Sequence, residues 1–402
     1  MNRRANKPCR MSKNTRKNSK DSDLERDDSL NTEKVPDTSD ERSWNYSASD
    51  PINPTISFFY TPRNITFLVA FFSGLMYCAL YVLKENDHIF NTKVGILMCV
   101  CLMVCMGLLE FKGGPFIRPH PAFWRAVLAL SVVYQMFLML ILFQTKSNAR
   151  FLFSFVDSSL GVPLREQSYA ENCALTIENI KGGLDVFVFA HLAGWIAKTL
   201  ILRDYWLCWV ISVLFEVMEY SLEHQLPNFA ECWWDHWILD VLLANGIGIF
   251  IGMKICKYLS MKTYSWRGIG EIESVQGKLQ RSLKQFTPHS WTSFDWAATK
   301  TVEGYATVLL IIAMEILCEL NAFYLKFLLW IPVSSNLNVY RLLLMFLLCV
   351  PAIREVYQFM NDPLCKRLGM SAWMATVTQL LKVVNNFYRA GNNNQIWAWG
   401  VP

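Results

Sequence analysis

Residues Ile65–Leu83 read ITFLVAFFSGLMYCALYVL, an unbroken apolar stretch without a single charge. A bilayer core needs about 20 mostly apolar residues per helix, so this stretch reads as a membrane span. The same test along the chain adds Val94–Leu109, Ala126–Phe143, Val186–Ile201, Tyr205–Tyr220, Trp237–Met253 and Tyr305–Leu329. Arg341–Ile353 is a short eighth candidate and Ser371–Val384 a weak ninth. The expected fold is all-α: a polytopic helical membrane protein with about eight to nine transmembrane helices.

Composition supports this. Of the 402 residues 53% are hydrophobic and 18% charged, against about 25% charged in an average soluble domain. A soluble single domain is thereby disfavoured, and the apolar content excludes a wholly disordered chain. Twelve Cys are too sparse for a disulfide-built secreted domain. Residues 1–56 differ from the rest. A basic run (Arg3, Arg4, Lys7, Arg10, Lys13, Arg16, Lys17, Lys20) precedes an acidic one from Asp21 to Asp40. So polar a segment cannot bury enough apolar surface to order itself, and we expect a disordered cytosolic tail. The acidic block weakens the alternative of a lipid-touching patch. No signal peptide is expected, because the first thirty residues hold no apolar stretch. Residues 57–384 would form the transmembrane domain and 385–402 a short polar tail.

Lys and Arg sort the loops. Glu110–Arg125, Lys254–Glu303 and Arg354–Gly369 are basic and, with the N-terminal tail, are assigned to the cytosol. Ser221–His236 has no Lys or Arg, and with the long loop Gln144–Asp185 it falls on the opposite side.

Ionisable groups inside spans are costly and usually functional. Here they concentrate in the fourth to sixth spans: His191, Lys198, Glu216, Glu219 and Asp240, joined by the polar Asn245, with Glu223, Glu231 and Asp235 in the segment between. Glu216, Glu219 and Glu223 fall at i, i+3 and i+7, on one helical face, and Glu231 and Asp235 are i, i+4. Asp240 and Asn245 continue in steps of five, which leaves an α-helical stripe, so a bend or another ligand group is needed. Converging carboxylates repel and need a cation, and an oxygen-rich set prefers calcium, magnesium or manganese. Zinc is less favoured, because His224, His236 and Cys232 lack a zinc-site spacing. Plainer readings stand beside this one. Glu223, Asp235 and His236 also suit a solvated loop, and Glu216, Glu219 and Asp240 a structural pairing or a water-filled cavity. Taken alone, His191 suits a satisfied core histidine, Lys198 a snorkelling side chain, and Trp233, Trp234 and Trp237 interfacial anchors. Glu315, Glu319 and Asn321 read as a helix-packing group before a substrate-lining one. Arg118 and Arg125, in a proline-stiffened mouth, suit either a lipid phosphate or positive-inside anchoring.

Several of these residues carry a resemblance. Gly114-Pro115-Phe116 with Arg118-Pro119-His120-Pro121 and Trp124-Arg125 is similar to the eukaryotic base-exchange phosphatidylserine synthases. So are the run Leu226–Asp235, Gln285-Phe286-Thr287-Pro288 and Glu319-Leu320-Asn321, within a likeness covering roughly Ser57–Trp373. Gly161-Val162-Pro163-Leu164 and the run Glu219–Gln225 look closer to the type 2 enzyme. The last eighteen residues resemble the family less, and its usual ten spans exceed the nine candidates here. The resemblance implies a calcium-dependent exchange of a phospholipid head group, ethanolamine or choline, for L-serine in the endoplasmic reticulum membrane. Phosphatidylethanolamine or phosphatidylcholine, L-serine and membrane lipids would be the partners. Nucleic acid is not expected, and a homo-oligomer is compatible. The family's essential positions fall here on His191, Glu216, Glu219, Asn228, Glu231, Asp235, Asp240 and Asn245.

The chemistry assigns roles on that basis. His191, Glu216, Asn228 and Asn245 would be catalytic; Glu219, Glu231, Asp235 and Asp240 would hold calcium; Arg118 and Arg125 would be lipid-binding or regulatory. Absence of a Gly-rich phosphate loop agrees with a reaction that uses no nucleotide. A CDP-alcohol phosphotransferase would show an Asp-Gly-x-x-Ala-Arg run, which is absent. The alternative of another class is a lipid or cation transporter or scramblase with a buried carboxylate site, which repeated halves would support and the sequence does not show. Finally, the charge bias puts Cys173 and Cys232 in loops on the side opposite the basic loops, where a disulfide between them could persist.

Overall fold

The computed structural model describes residues 62–82, 87–111, 114–164, 170, 172–183, 186–226, 229–261, 270, 272–288 and 291–391. The expected tail, residues 1–56, lies outside them. All elements among the described residues are helices. Helix α1, Pro62–Tyr77 with a π-helical end Cys78–Val82, belongs to a compact unit of its own. Its large apolar side chains, Phe72, Leu80 and Tyr81 among them, are exposed, as lipid-facing groups would be.

The second unit holds the remaining helices. They are α2 (His88–Glu110), α3 (Pro121–Leu142), α4 (Lys146–Val156), α5 (Ile177–Gly183), α6 (Val186–Leu202) and α7 (Tyr205–Leu222). Then come α8 (Asp235–Met261), α9 (Val275–Lys284), α10 (Val302–Leu328), α11 (Asn336–Asn361) and α12 (Met370–Gly391). Seven described helices are long and apolar enough to cross a membrane, or eight if α5 and α6, bent by 54°, make one span.

The sequence marks most starts and stops. Asp87, Asp204, Thr301 and Ser335 cap α2, α7, α10 and α11 by accepting first-turn backbone N–H groups. Pro121 occupies the first turn of α3, where no N–H is needed. Between α6 and α7 the chain reverses through Arg203, whose φ of 56° is costly for a side-chain residue. Arg203 is fixed there by Thr292 O at 2.6 Å and by the Trp291 ring 3.7 Å below its guanidinium. A core of Trp195, Leu202, Leu207, Ile211, Ile249, Trp296 and Ile311 then holds α6, α7, α8 and α10 together. Helices α6 and α8 meet at two small residues: a Cβ on Gly248 would sit 2.8 Å from Trp195 Cβ, and one on Gly252 2.6 Å from Thr199 Cβ. Such small-xxx-small spacing lets backbones approach where no hydrophobic force drives association.

Four sequence expectations need correction. The stretch Gln144–Asp185 is not one long loop. It contains α4 and α5, and α4 buries Ala149 and Phe153 against Leu138, Leu325 and Leu329. Arg150 stacks on Trp330 at 3.3 Å and donates to Leu328 O at 3.1 Å. Gly161 has φ +72°, and a Cβ there would lie 2.3 Å from Arg150 O. The eighth span is not short: α11 runs for 26 residues, with Ser335 capping it ahead of Arg341 and Pro351 tolerated inside. The basic loop Lys254–Glu303 contains α9. The ninth candidate does not stop at Val384, nor does a tail begin at 385. Helix α12 continues to Gly391, with Asn385 and Asn386 buried. Its polar residues Thr378, Gln379, Lys382, Asn385 and Asn386 lower its hydropathy, yet they are the ones packed inward, on α3, α10 and α11.

Candidate active site

Helix α7 supplies the first half of the site. Its regular turn places Glu216 and Glu219 on one face, 0% and 6% exposed. The helix ends at Leu222, so Glu223 is exposed and does not extend the stripe. Helix α8 supplies the second half through an unusual start: Asp235–Asn245 is π-helical before Gly246–Met261 turns α-helical. Hydrogen bonds from i to i+5 widen each turn, bringing residues five apart toward a common face. This eases the steps of five, since Asp235, Asp240 and Asn245 lie closer to one face than an α-helix would place them. Asp240 is 7% and Asn245 1% exposed.

The π segment also delivers His236, which a solvated-loop reading would leave in water. Its ring is wholly buried, with Nδ1 2.9 Å from Glu216 Oε2 and 3.6 Å from Glu219 Oε2. Tyr220 covers it, ring centroids 4.4 Å apart. His236 is the residue absent from the sequence-derived site; its signal was position, one residue after Asp235 at the mouth of a span. On the opposing helix α6, His191 Nδ1 lies 3.4 Å from Asp240 Oδ1, with the His191 side chain one-third exposed. Asn245 lies beside His191 and donates to Ser212 Oγ at 3.0 Å. Glu231, half-buried, and Asp240 both bear electrostatically on Glu219. Glu231 and half-buried Asp235 likewise bear on His236. The structure thus gathers His191, Glu216, Glu219, Glu231, Asp235, Asp240 and Asn245. Asn228 lies outside the described residues.

Lys198 does not snorkel to water. It pairs with Glu319 of α10 and packs 4.1 Å over Trp195, which makes Glu319 a clasp between α10 and α6. Trp234 is no interfacial anchor either: it is 4% exposed and packs with Cys232, Leu239 and Ile180. Trp233 and Trp237 are exposed. Cys232 is bonded to Cys173, with Cα atoms 5.2 Å apart across 59 residues of sequence. The bond pins the segment that enters α8, where the backbone N–H groups of Asp235 and His236 both donate to Cys232 O.

Arg118 and Arg125 stand apart from this cluster, at the start of α3. Arg125 donates to Leu108 O at 3.1 Å. The Arg118–Pro119 peptide is cis. Pro119 O accepts from Gln285 at 2.7 Å, and Gln285 in turn accepts from Arg281 at 3.0 Å. Burial and the neighbouring Arg281 both lower the Arg118 pKa from its ordinary value.

The donors fit a divalent cation. Glu216, Glu219 and His236 each offer a ligand atom within 4.8 Å of the others. Glu216 Oε1, His236 Nε2 and Asn245 Oδ1 are buried without hydrogen-bond partners, a cost that a bound ion would remove. Carboxylate oxygens suit a hard cation, and one imidazole widens the set of metals tolerated. Cys232, being in a disulfide, offers no thiolate, which leaves the zinc alternative weaker still.

Residues 119–387 match the family described as Phosphatidyl serine synthase. The chain is 46% identical over 342 residues to phosphatidylserine synthase 2 of Danio rerio, covering 82% of this chain and 76% of that one. Against phosphatidylserine synthase 2 of Homo sapiens the identity is also 46%, over 82% of this chain and 70% of the relative. Phosphatidylserine synthase 1 of Danio rerio is 41% identical, over 80% of this chain and 70% of its own. The matched region contains every helix that contributes to the carboxylate–histidine cluster, and the chain is an enzyme of the phosphatidylserine synthase family.

Proposed function

We propose that the chain exchanges the head group of an existing phospholipid, ethanolamine or choline, for L-serine, with calcium at the carboxylate cluster. We place this in the endoplasmic reticulum membrane, with the N-terminus and the basic loops in the cytosol. The observation that carries the proposal is two histidines brought against three acids, His236 on Glu216 and Glu219 and His191 on Asp240, between three membrane helices.

The reaction is a transesterification. The serine hydroxyl oxygen forms a bond to phosphorus, and the bond from phosphorus to the ethanolamine oxygen breaks. One phosphodiester replaces another, so no nucleotide is consumed. His191 is the base we assign: its Nδ1 faces Asp240, which fixes the ring and leaves Nε2 to take the serine proton. The imidazolium then gives that proton to the leaving alkoxide. Glu219, Glu231, Asp235 and Asp240 are the carboxylates assigned to calcium, and the geometry adds His236 and Glu216 to the candidate ligands. Bound calcium would supply positive charge to offset the negative charge that develops at the phosphoryl oxygens. Asn228 and Asn245 are assigned to orienting serine or the ligands, and Glu216 also suits an amine. Arg118 and Arg125 are assigned to a lipid phosphate at the cytosolic mouth of α3.

Purified protein in liposomes of head-group-labelled phosphatidylethanolamine, given calcium and labelled serine without nucleotide, tests this. One ethanolamine should appear for each serine incorporated. Incorporation that requires CDP-diacylglycerol, or no incorporation, would overturn the proposal.

A further inference from the structure

Where α3, α10, α11 and α12 meet, the bundle holds two cations that no carboxylate answers. Lys382 of α12 is 1% exposed, and Arg341 of α11 is half-buried. Among the described residues neither forms an ion pair. The Lys382 ammonium lies 5.6 Å from the Tyr134 ring centre. Arg341 donates to Ala322 O at 3.2 Å, while its Nε has no acceptor. The buried Tyr134 hydroxyl has no partner. Asn386 donates to Asn321 Oδ1 at 2.9 Å, and Asn385 donates to Leu138 O at 3.1 Å, yet the amide oxygens of both asparagines are buried without a donor.

Each feature is costly alone. A charge inside a membrane bundle normally finds a counter-charge, and a buried polar atom normally finds a hydrogen bond. Here two cations, two orphan donors and two orphan acceptors lie on α3, α11 and α12, which pack against one another, and one group that is anionic at its centre and carries a donor beside it would answer them. Helices α3, α11 and α12 contribute no residue to the carboxylate–histidine cluster, which separates the two places. We propose that this junction binds the phosphate of a phospholipid. Arg341 and Lys382 would hold the phosphate oxygens, while Asn385 and Asn386 would accept from a hydroxyl or amine of its head group. Inorganic phosphate shares this chemistry, but the position within membrane-spanning helices commits the site to a lipid. The inference does not depend on the catalytic reading.

Native mass spectrometry of the delipidated full chain in detergent tests it, with dioleoyl phosphatidylglycerol, whose head group carries hydroxyls, as probe and chelator present throughout. Retained lipid is expected in the unaltered chain and in Asp240→Asn. Affinity should fall at least tenfold in Lys382→Met and Arg341→Gln, and recover in Lys382→Arg. Without lipid, Lys382→Met should melt no lower than the unaltered chain, since it removes an unanswered charge. Equal binding in all variants, loss of binding in Asp240→Asn, or failure of Lys382→Arg to recover it would overturn the proposal. Binding of inorganic phosphate but not of phosphatidylglycerol would overturn the lipid assignment.

Discussion

His236 and His191 occupy different halves of one site, and their surroundings assign them different work. His236 is sealed between Glu216 and Glu219 under Tyr220, so it can hold carboxylates or a metal but cannot reach substrate freely. His191 keeps one-third of its side chain open and has Asp240 behind it. His191→Ala should therefore leave the protein folded and lower turnover on the order of a hundredfold to ten-thousandfold, as loss of a general base does; near-normal exchange rates would require another base. His236→Ala should weaken metal binding as well as turnover, because it leaves two buried carboxylates facing a void. The readout is the calcium concentration for half-maximal exchange, which should rise for His236→Ala and hold for His191→Ala. Glu216 and Glu219 were legible in the sequence because α7 is a regular helix and i, i+3 spacing guarantees a shared face. His236 was not, since its role depends on where α8 begins and on a helix type that composition does not announce.

At the level of elements, the π-helical opening of α8 and the close crossing of α6 and α8 bring His191 and Asp240 together. The crossing is set by Gly248 and Gly252, where added side-chain atoms meet Trp195 and Thr199. Gly252→Val should destabilise the protein by about 1–3 kcal/mol, as overpacking does, and should lower exchange by more than its melting shift explains, because it widens the gap His191 must span. Purified yield and melting temperature, measured beside turnover, check this. The spans themselves were legible because uncharged runs near bilayer length admit few other folds. Amphipathic α4 and α9 were not, since a hydropathy window averages out one apolar face. Helix α12 was underestimated for the opposite reason: its polar residues face other helices instead of lipid.

Across the whole molecule, a single covalent bond ties the stretch between α4 and α5 to the entrance of α8. Closing a loop across 59 residues stabilises by about 4 kcal/mol in loop-closure entropy. Cys173→Ser should lower the melting temperature and impair exchange together, because Cys232 O receives the Asp235 and His236 amides; unchanged activity in a fully reduced sample would detach the bond from the site. Charge bias put both cysteines on the side opposite the basic loops but left two free thiols as an alternative, because sequence does not give the separation of their Cα atoms that the bond requires. The central claim is that the carboxylate–histidine cluster is a calcium centre for head-group exchange, and one titration tests it directly. Purified protein in phosphatidylethanolamine liposomes receives labelled serine without nucleotide, and calcium is first chelated and then restored. Serine incorporation should vanish in excess chelator and return with calcium, whereas incorporation that persists in excess chelator would contradict the account.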